Sequence, residues 1–123
     1  MTIAETFADF LIETGYDDLS PQAVDHAAMI VASTLASAAC GRHIESARII
    51  TEIERVRGGV EEASLWFEAS AKLPVVGAAR ANALMSDAAA SDDSDLRNIV
   101  HAGTPLTATT LAVAEATGAA ATA

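Results

Sequence analysis

The chain has 123 residues, of which 51% are hydrophobic but only 4% aromatic, so its apolar content is mainly alanine and aliphatic side chains. Its formal net charge of −10 repels phosphate backbones and argues against nucleic-acid binding. No uninterrupted apolar run reaches the roughly 18 residues that a membrane span needs, and the N-terminus lacks the basic start of a secretory signal. We expect a soluble, cytoplasmic, mainly α-helical protein with no membrane partner.

Two helices are predicted in the first third of the chain. Thr2 and Glu5 form a capping-box pattern at the start of the first helix, which should run to about Glu13. Ser20 followed by Pro21 is a typical start for the second helix, which should end near residue 41. Both starts are predicted from local side-chain chemistry alone.

The second and third helices are each expected to bury an apolar stripe. In the second, Cys40, the only cysteine, should be a small buried hydrophobic residue. The expected buried stripe of that helix is Val24, Ala27, Ala28, Val31, Leu35 and Ala38. The third helix opens at His43 or Ser46 and ends at Gly58 and Gly59. Its inward side chains should be Ile49, Ile50, Ile53 and Val56, and its outward ones Glu52, Glu54, Arg55 and Arg57.

After the third helix the hydrophobic period changes. Glu62–Glu68 resembles a short strand or extended arm, and Lys72, Leu73 and Pro74 are expected to form the turn out of it. A fourth helix should begin at about Val75. A fifth should run from Leu106 to about Thr117, with a glycine as its stop. The fold class is therefore mainly α, with about five helices and one short extended arm.

The second and fifth helices are apolar nearly all round, and such helices need burial on every side. A chain of 123 residues has few elements with which to surround two of them. We therefore expect an incomplete helical domain, completed by a missing segment or by a second chain in a homo- or hetero-oligomer.

The densest set of ionisable groups lies between the fourth and fifth predicted helices. His101 precedes a helix start, where free N–H groups and the helix dipole favour an anion. Gly103 would let the backbone approach a ligand, and Arg97 could bind a carboxylate. An imidazole beside such a site suits proton transfer next to a carboxylate. The alternative is that His101 only caps or packs the loop.

Three aspartates of the same loop, Asp92, Asp93 and Asp95, are candidate metal ligands. They lack the calcium-loop spacing, and no second cluster supplies further ligands, so no metal and no cofactor is expected. Helix capping is the ordinary role for at least one of them. Ser94 offers a hydroxyl without the surroundings of a serine-hydrolase nucleophile.

Several segments resemble the MmgE/PrpD family, which includes 2-methylcitrate dehydratase, cis-aconitate decarboxylase and iminodisuccinate epimerase. These segments are TFADFLIETGYDDLSPQAVDHAAMIVASTLASAACG, EEASLWF, ARANALMSD and DDSDLRNIVHAGTPLTATTLAVAEATGA. The family loop reads D-[FY]-D-D-T-H and then H-P-[SG]. Asp92 and Asp93 match its paired aspartates, Ser94 matches its threonine, and His101 matches its histidine of acid–base chemistry. The family's first aspartate falls at Ala90.

The resemblance implies that residues 1–123 are the N-terminal portion of an all-helical domain, with the family's smaller α+β domain absent. It implies lyase or isomerase chemistry, including epimerisation, on a small polycarboxylate. The implied catalytic residues are His101, Asp93 and Asp92, and the implied substrate-binding residues are Arg97, Ser94, Gly103 and Thr104. The missing carboxylate at Ala90 weighs against dehydratase and decarboxylase chemistry. A non-catalytic helical subunit or interaction module stays open as the alternative.

Overall fold

The computed structural model describes residues 2–119, and in this part of the chain the fold is mainly α-helical, as predicted. Five α-helices lie there, with a short 3₁₀ turn at Tyr16–Asp18 and one two-stranded antiparallel sheet. The helices are α1 (Ile3–Glu13), α2 (Pro21–Gly41), α3 (Glu45–Arg57), α4 (Val75–Ala88) and α5 (Gly103–Thr117). The strands are β1 (Ala63–Ser64) and β2 (Lys72–Leu73).

Most helix ends lie where the local sequence signals place them. The Thr2 and Glu5 capping box is formed at α1, and the Ser20 side chain accepts from the backbone N–H of Ala23 at the start of α2. Gly58 ends α3 at a φ of 63°. The start of α5 was predicted wrongly, because it begins at Gly103, three residues before the predicted Leu106.

Helix α4 is the centre of the fold and packs against α2, α3, α5 and both strands. The buried hydrophobic residues are small on average, so the helices approach closely: Ala38, Ala47, Ala63, Leu65, Leu73, Ala78, Ala81, Met85 and Ala112. The closest approach is at Gly41, where an added Cβ would collide with the carbonyl oxygen of Met85. Only glycine fits at this contact of α2 with α4.

The predicted turn at Lys72 and Leu73 is wrong, because these residues form β2. Ala63 lies opposite Leu73 in the antiparallel pair. The pair is fastened to α4 by Asn82, whose side chain is buried and bonds the arm twice. Its amide nitrogen donates to the carbonyl of Ser64 at 2.9 Å, and its oxygen accepts from the backbone N–H of Trp66 at 3.0 Å.

The predicted inward face of α3 is wrong. Ile49, Ile53 and Val56 are 53%, 46% and 80% exposed, whereas Glu54 is 3% exposed. The Glu54 carboxylate accepts from Arg57 at 2.9 Å and from Arg80 of α4 at 2.5 Å. Helix α3 therefore packs against α4 through small and polar side chains, and its aliphatic side chains face away from this part of the chain.

Helix α2 buries its C-terminal half, through Thr34, Ser37, Ala38 and Gly41. Of its predicted stripe only Ala38 is buried, and Cys40 is exposed, contrary to expectation. Among the described residues, α2 is the one helix long and apolar enough to cross a membrane, with a mean hydropathy of 1.4 over 18 residues. A single helix of this kind is weak evidence for a membrane span, because the core helix of a soluble protein can have the same composition.

Candidate functional site

The candidate site lies in the α4–α5 loop, residues 89–102, which joins two helices packed against each other. The loop leaves α4 through Ala90, whose φ of 49° is left-handed. Its distal part is a turn in which Asp95 and Val100 pair as an isolated antiparallel bridge. The loop therefore begins and returns at the same end of the α4 and α5 pair.

Asp95 organises the turn of the loop with its carboxylate. It accepts from the side-chain nitrogen of Asn98 at 2.6 Å and from the backbone N–H of Arg97 at 2.9 Å. These two donors, the Asn98 side chain first, lower the pKa of Asp95 from its ordinary value of 3.8. From the sequence, Asp95 was weighed only as a metal ligand or a helix cap, although an aspartate side chain often bonds the backbone N–H two residues on in a turn.

Asp92 and His101 are brought together across the loop. The Oδ2 atom of Asp92 lies 3.2 Å from the Nδ1 atom of His101, and the two side chains are 2% and 47% exposed. The Nε2 atom makes no hydrogen bond to any of residues 2–119. A buried carboxylate thus lies against one ring nitrogen of a half-exposed imidazole.

Asp92 is held from its other side by a buried hydroxyl. Thr104 Oγ1 donates to Asp92 Oδ2 at 2.8 Å and lies 3.1 Å from Ser86 Oγ of α4. Ser37 of α2 donates to the backbone carbonyl of Ser86 at 2.8 Å. Thr104, Ser86 and Ser37 are 3%, 0% and 3% exposed. Side chains of α4 and α5 therefore fix the position of one carboxylate, and Ser37 of α2 bonds the backbone of the same α4 residue.

Asp93 closes the start of α5. The backbone N–H of Gly103 donates to Asp93 Oδ2 at 3.0 Å, and the N-cap position, Ala102, has no side-chain bond of its own. The carboxylate lies at the positive end of the helix dipole, where negative charge is stabilising. Its Oδ1 atom is buried without a partner among residues 2–119. The protein's own carboxylate thus occupies the predicted anion position.

The structure gives the surroundings of the predicted substrate-binding residues, whose role stays a prediction. Gly103 is buried, and an added Cβ would collide with the carboxylate of Asp93, so its missing side chain makes room for that aspartate. Thr104 is buried with its hydroxyl bonded inside the protein. Ser94 and Arg97 are exposed, and their side chains make no hydrogen bond within the described part of the chain.

Sequence reasoning missed Ser37 and Ser86. Ser86 follows Asn82 by four residues and so lies on the same face of α4. Two polar residues on one face of this alanine-rich helix were the signal that could have found Ser86.

A cavity of about 680 Å³ lies elsewhere, between α3 and the segment after β1. None of its lining residues belongs to the α4–α5 loop. It is lined by three arginines and three glutamates, whose charges cancel: Arg42, Arg48, Arg55, Glu45, Glu52 and Glu68. It therefore lacks the net positive charge that a polyanionic substrate requires.

Among residues 2–119, no group of three or more histidine, cysteine or acidic side chains is placed to hold a metal ion.

The fold and the loop define a helical module that presents an aspartate–histidine pair beside a helix start. The MmgE/PrpD N-terminal domain matches residues 5–123. This chain therefore belongs to the MmgE/PrpD family and corresponds to its N-terminal part. Neither the curated proteins nor the solved structures gave a significant match.

Proposed function

We propose that this chain supplies the N-terminal part of an MmgE/PrpD lyase or isomerase that moves a proton at a carbon next to a carboxylate. The observation that carries the proposal is the 3.2 Å contact between Asp92 and Nδ1 of the half-exposed His101. In this role Asp92 accepts the Nδ1 hydrogen and holds the ring. The Nε2 atom is then the base that takes the substrate proton.

Proton abstraction beside a carboxylate builds negative charge on an enolate-like intermediate, which positive groups must stabilise. The α5 start does not supply that charge, because Asp93 already binds there. Arg97 is the one arginine or lysine of the α4–α5 loop, and Ser94 presents an exposed hydroxyl. In the proposed complex these two side chains contact the polycarboxylate, and segments that complete the fold add further positive groups.

Completion of the fold is part of the proposal and is supported by unpartnered apolar surface. Helix α1 buries none of its residues. Ile3, Phe7, Phe10 and Leu11 of α1 are 89%, 63%, 55% and 64% exposed. Soluble monomers rarely expose contiguous apolar patches of more than a few hundred Å². A second polypeptide would cover this surface in a homo- or hetero-oligomer. A further segment of the same protein would cover it within one chain.

A non-catalytic helical subunit is the second candidate. Ala90 favours it, because this residue stands where the family's loop has its first aspartate. Its φ of 49° is a conformation that an aspartate tolerates better than an alanine does. Position 90 therefore lacks the carboxylate that a dehydratase or decarboxylase of this family uses.

The two candidates are separated by proton exchange in the assembled protein. The chain is combined with a polypeptide that carries the rest of the family fold, and native mass spectrometry establishes the complex. Small di- and tricarboxylates are then incubated in D₂O, and NMR follows deuterium incorporation next to each carboxylate. We expect exchange with at least one of them. A complete complex that exchanges none would favour the non-catalytic subunit.

Variants of two histidines then assign the exchange to the loop. His101→Ala should lower the exchange rate by ~10²–10⁴-fold while the complex stays intact. His43→Ala is the matched control, since His43 is exposed at the start of α3 and bonds only Arg42 among the described residues. Equal rates for the two variants would remove His101 from the mechanism. A stable 12.6 kDa monomer that shows the full activity would remove the need for assembly.

A further inference from the structure

We infer that Thr104 and Ser86 are positioning residues for His101, which they reach through a directed chain of hydrogen bonds ending on Asp92. Neither residue has a place in the reaction proposed above, and both are buried. The catalytic consequence of this inference rests on the proposed function. The hydrogen-bond chain itself does not, and it can be tested without substrate.

The direction of the chain follows from the inventory of donors. A carboxylate only accepts, so the Thr104 hydroxyl donates to Asp92 Oδ2, at 2.8 Å. A hydroxyl has one hydrogen, so Thr104 has none left for Ser86. The Ser86 hydroxyl must therefore donate to Thr104 Oγ1 across their 3.1 Å contact. The order of donation runs from Ser86 to Thr104 to Asp92.

The ordinary role of a serine inside a helix would be a hydrogen bond from its hydroxyl to the backbone carbonyl four residues earlier. Thr51, Thr110 and Thr117 make such bonds, at 2.8, 2.7 and 2.9 Å. Ser86 makes none to its own helix and points instead to Thr104 of α5. With both hydroxyls buried, water cannot take the place of either partner.

The consequence lies at His101. Asp92 Oδ2 accepts the hydroxyl hydrogen of Thr104 and lies 3.2 Å from Nδ1 of His101. The carboxylate is thus fixed in rotation and faces Nδ1, which selects the tautomer with hydrogen on that nitrogen. Nε2 is left with a free lone pair on the half-exposed side of the ring. Without the Thr104 hydroxyl the carboxylate can rotate, and the neutral ring is free to adopt both tautomers.

The test uses the full chain and reads the tautomer of neutral His101 from its ring nitrogen shifts in ¹H–¹⁵N NMR. The wild-type ring should carry its hydrogen on Nδ1. Thr104→Val keeps the shape of the side chain and removes the hydroxyl, so it should move the ring to a mixture of tautomers. Thr104→Ser restores a hydroxyl and should restore the Nδ1 form. An unchanged tautomer in folded Thr104→Val would overturn the inference.

Ser86→Ala keeps the test decisive if Thr104→Val fails to fold. Ser86→Ala should produce the same kind of tautomer mixture to a smaller extent. The double variant of Ser86→Ala and Thr104→Val should show the same mixture as Thr104→Val alone. A wild-type tautomer in folded Ser86→Ala would remove Ser86 from the chain of bonds.

In the active complex, Thr104→Val should lower kcat about 10-fold with KM unchanged, the loss expected for one hydrogen bond. A raised KM with unchanged kcat would instead restore Thr104 to substrate binding. A tautomer shift in a complex that exchanges no substrate would leave the hydrogen-bond chain standing and reject the proposed function.

Discussion

The backbone N–H of Gly103 donates to the carboxylate of Asp93 at 3.0 Å, across ten residues of the chain. This bond makes the first turn of α5 dependent on the α4–α5 loop. It also fills the position where a substrate carboxylate was expected. Asp93 is therefore a helix cap supplied from a distance, and the catalytic role that the family motif implies for it stays a prediction.

Replacing Asp93 should cost stability. Asp93→Ala removes the cap of α5 and should lower the free energy of unfolding by about 1 kcal/mol. Ser94→Ala is the matched control. Ser94 is the next residue along the chain, and its side chain is exposed and makes no hydrogen bond within the described residues. Urea unfolding followed by circular dichroism measures both. Equal stabilities of the two variants would contradict the capping role.

Replacing Ala90 by glycine should stabilise the chain. Ala90 has a φ of 49°, which costs an alanine roughly 1–2 kcal/mol and a glycine almost nothing. Since glycine also loses more entropy on folding, we expect a net gain of about 1 kcal/mol in Ala90→Gly. Ala89→Gly, at a φ of −79°, should instead lose about 0.5–1 kcal/mol. Loss of stability in both variants would show that Ala90 is not left-handed in solution.

The contact of α2 with α4 should not accept a larger residue at position 41. Gly41→Ala places a methyl group against the carbonyl of Met85, which neither helix can move cheaply. We expect a loss of about 1–3 kcal/mol in thermal or urea unfolding. Cys40→Ala, at the neighbouring exposed position, should change stability by less than about 0.5 kcal/mol. A wild-type melting curve for Gly41→Ala would contradict this helix packing.

The turn around Asp95 should be sensitive to acid. Its pKa is lowered first by the Asn98 side chain and then by the backbone N–H of Arg97. A carboxyl with a lowered pKa stabilises the folded form above its ordinary value of 3.8, and this contribution is lost as the pH falls through the lowered value. The amide shift of Arg97 should therefore titrate with Asp95 at acid pH. In Asp95→Asn this titration should vanish, and its persistence would assign it to another group.

Much of the fold could be predicted from local chemistry. Capping at Thr2, the Ser20 and Pro21 pair, and glycines 58 and 118 mark helix ends by backbone rules that need no tertiary contact. The second strand could not be predicted, because Lys72 and Leu73 pair with β1 only in an arm that Asn82 holds from α4. Two-residue strands carry no hydrophobic period of their own.

The buried faces were predicted less well than the helices, and the reason is physical. Periodicity reports which side of a helix is apolar, but this part of the chain covers only some of those sides. Ile49 and Ile53 follow the helical period and are exposed, while Glu54 is buried because two arginines neutralise it. The family motif implied catalytic roles for both Asp92 and Asp93. That Asp92 lies against His101 while Asp93 caps α5 depends on where α5 begins, which the motif does not contain.

The central claim is that Asp92 orients His101 as the base. Asp92→Asn in the assembled protein tests it most directly, with Asp87→Asn, on the exposed side of α4, as the control. The measured quantity is the rate of deuterium exchange next to the substrate carboxylate. We predict a loss of ~10²-fold or more for Asp92→Asn, with an unchanged melting temperature of the complex, and a wild-type rate for Asp87→Asn. A wild-type rate in a folded Asp92→Asn complex would contradict the account.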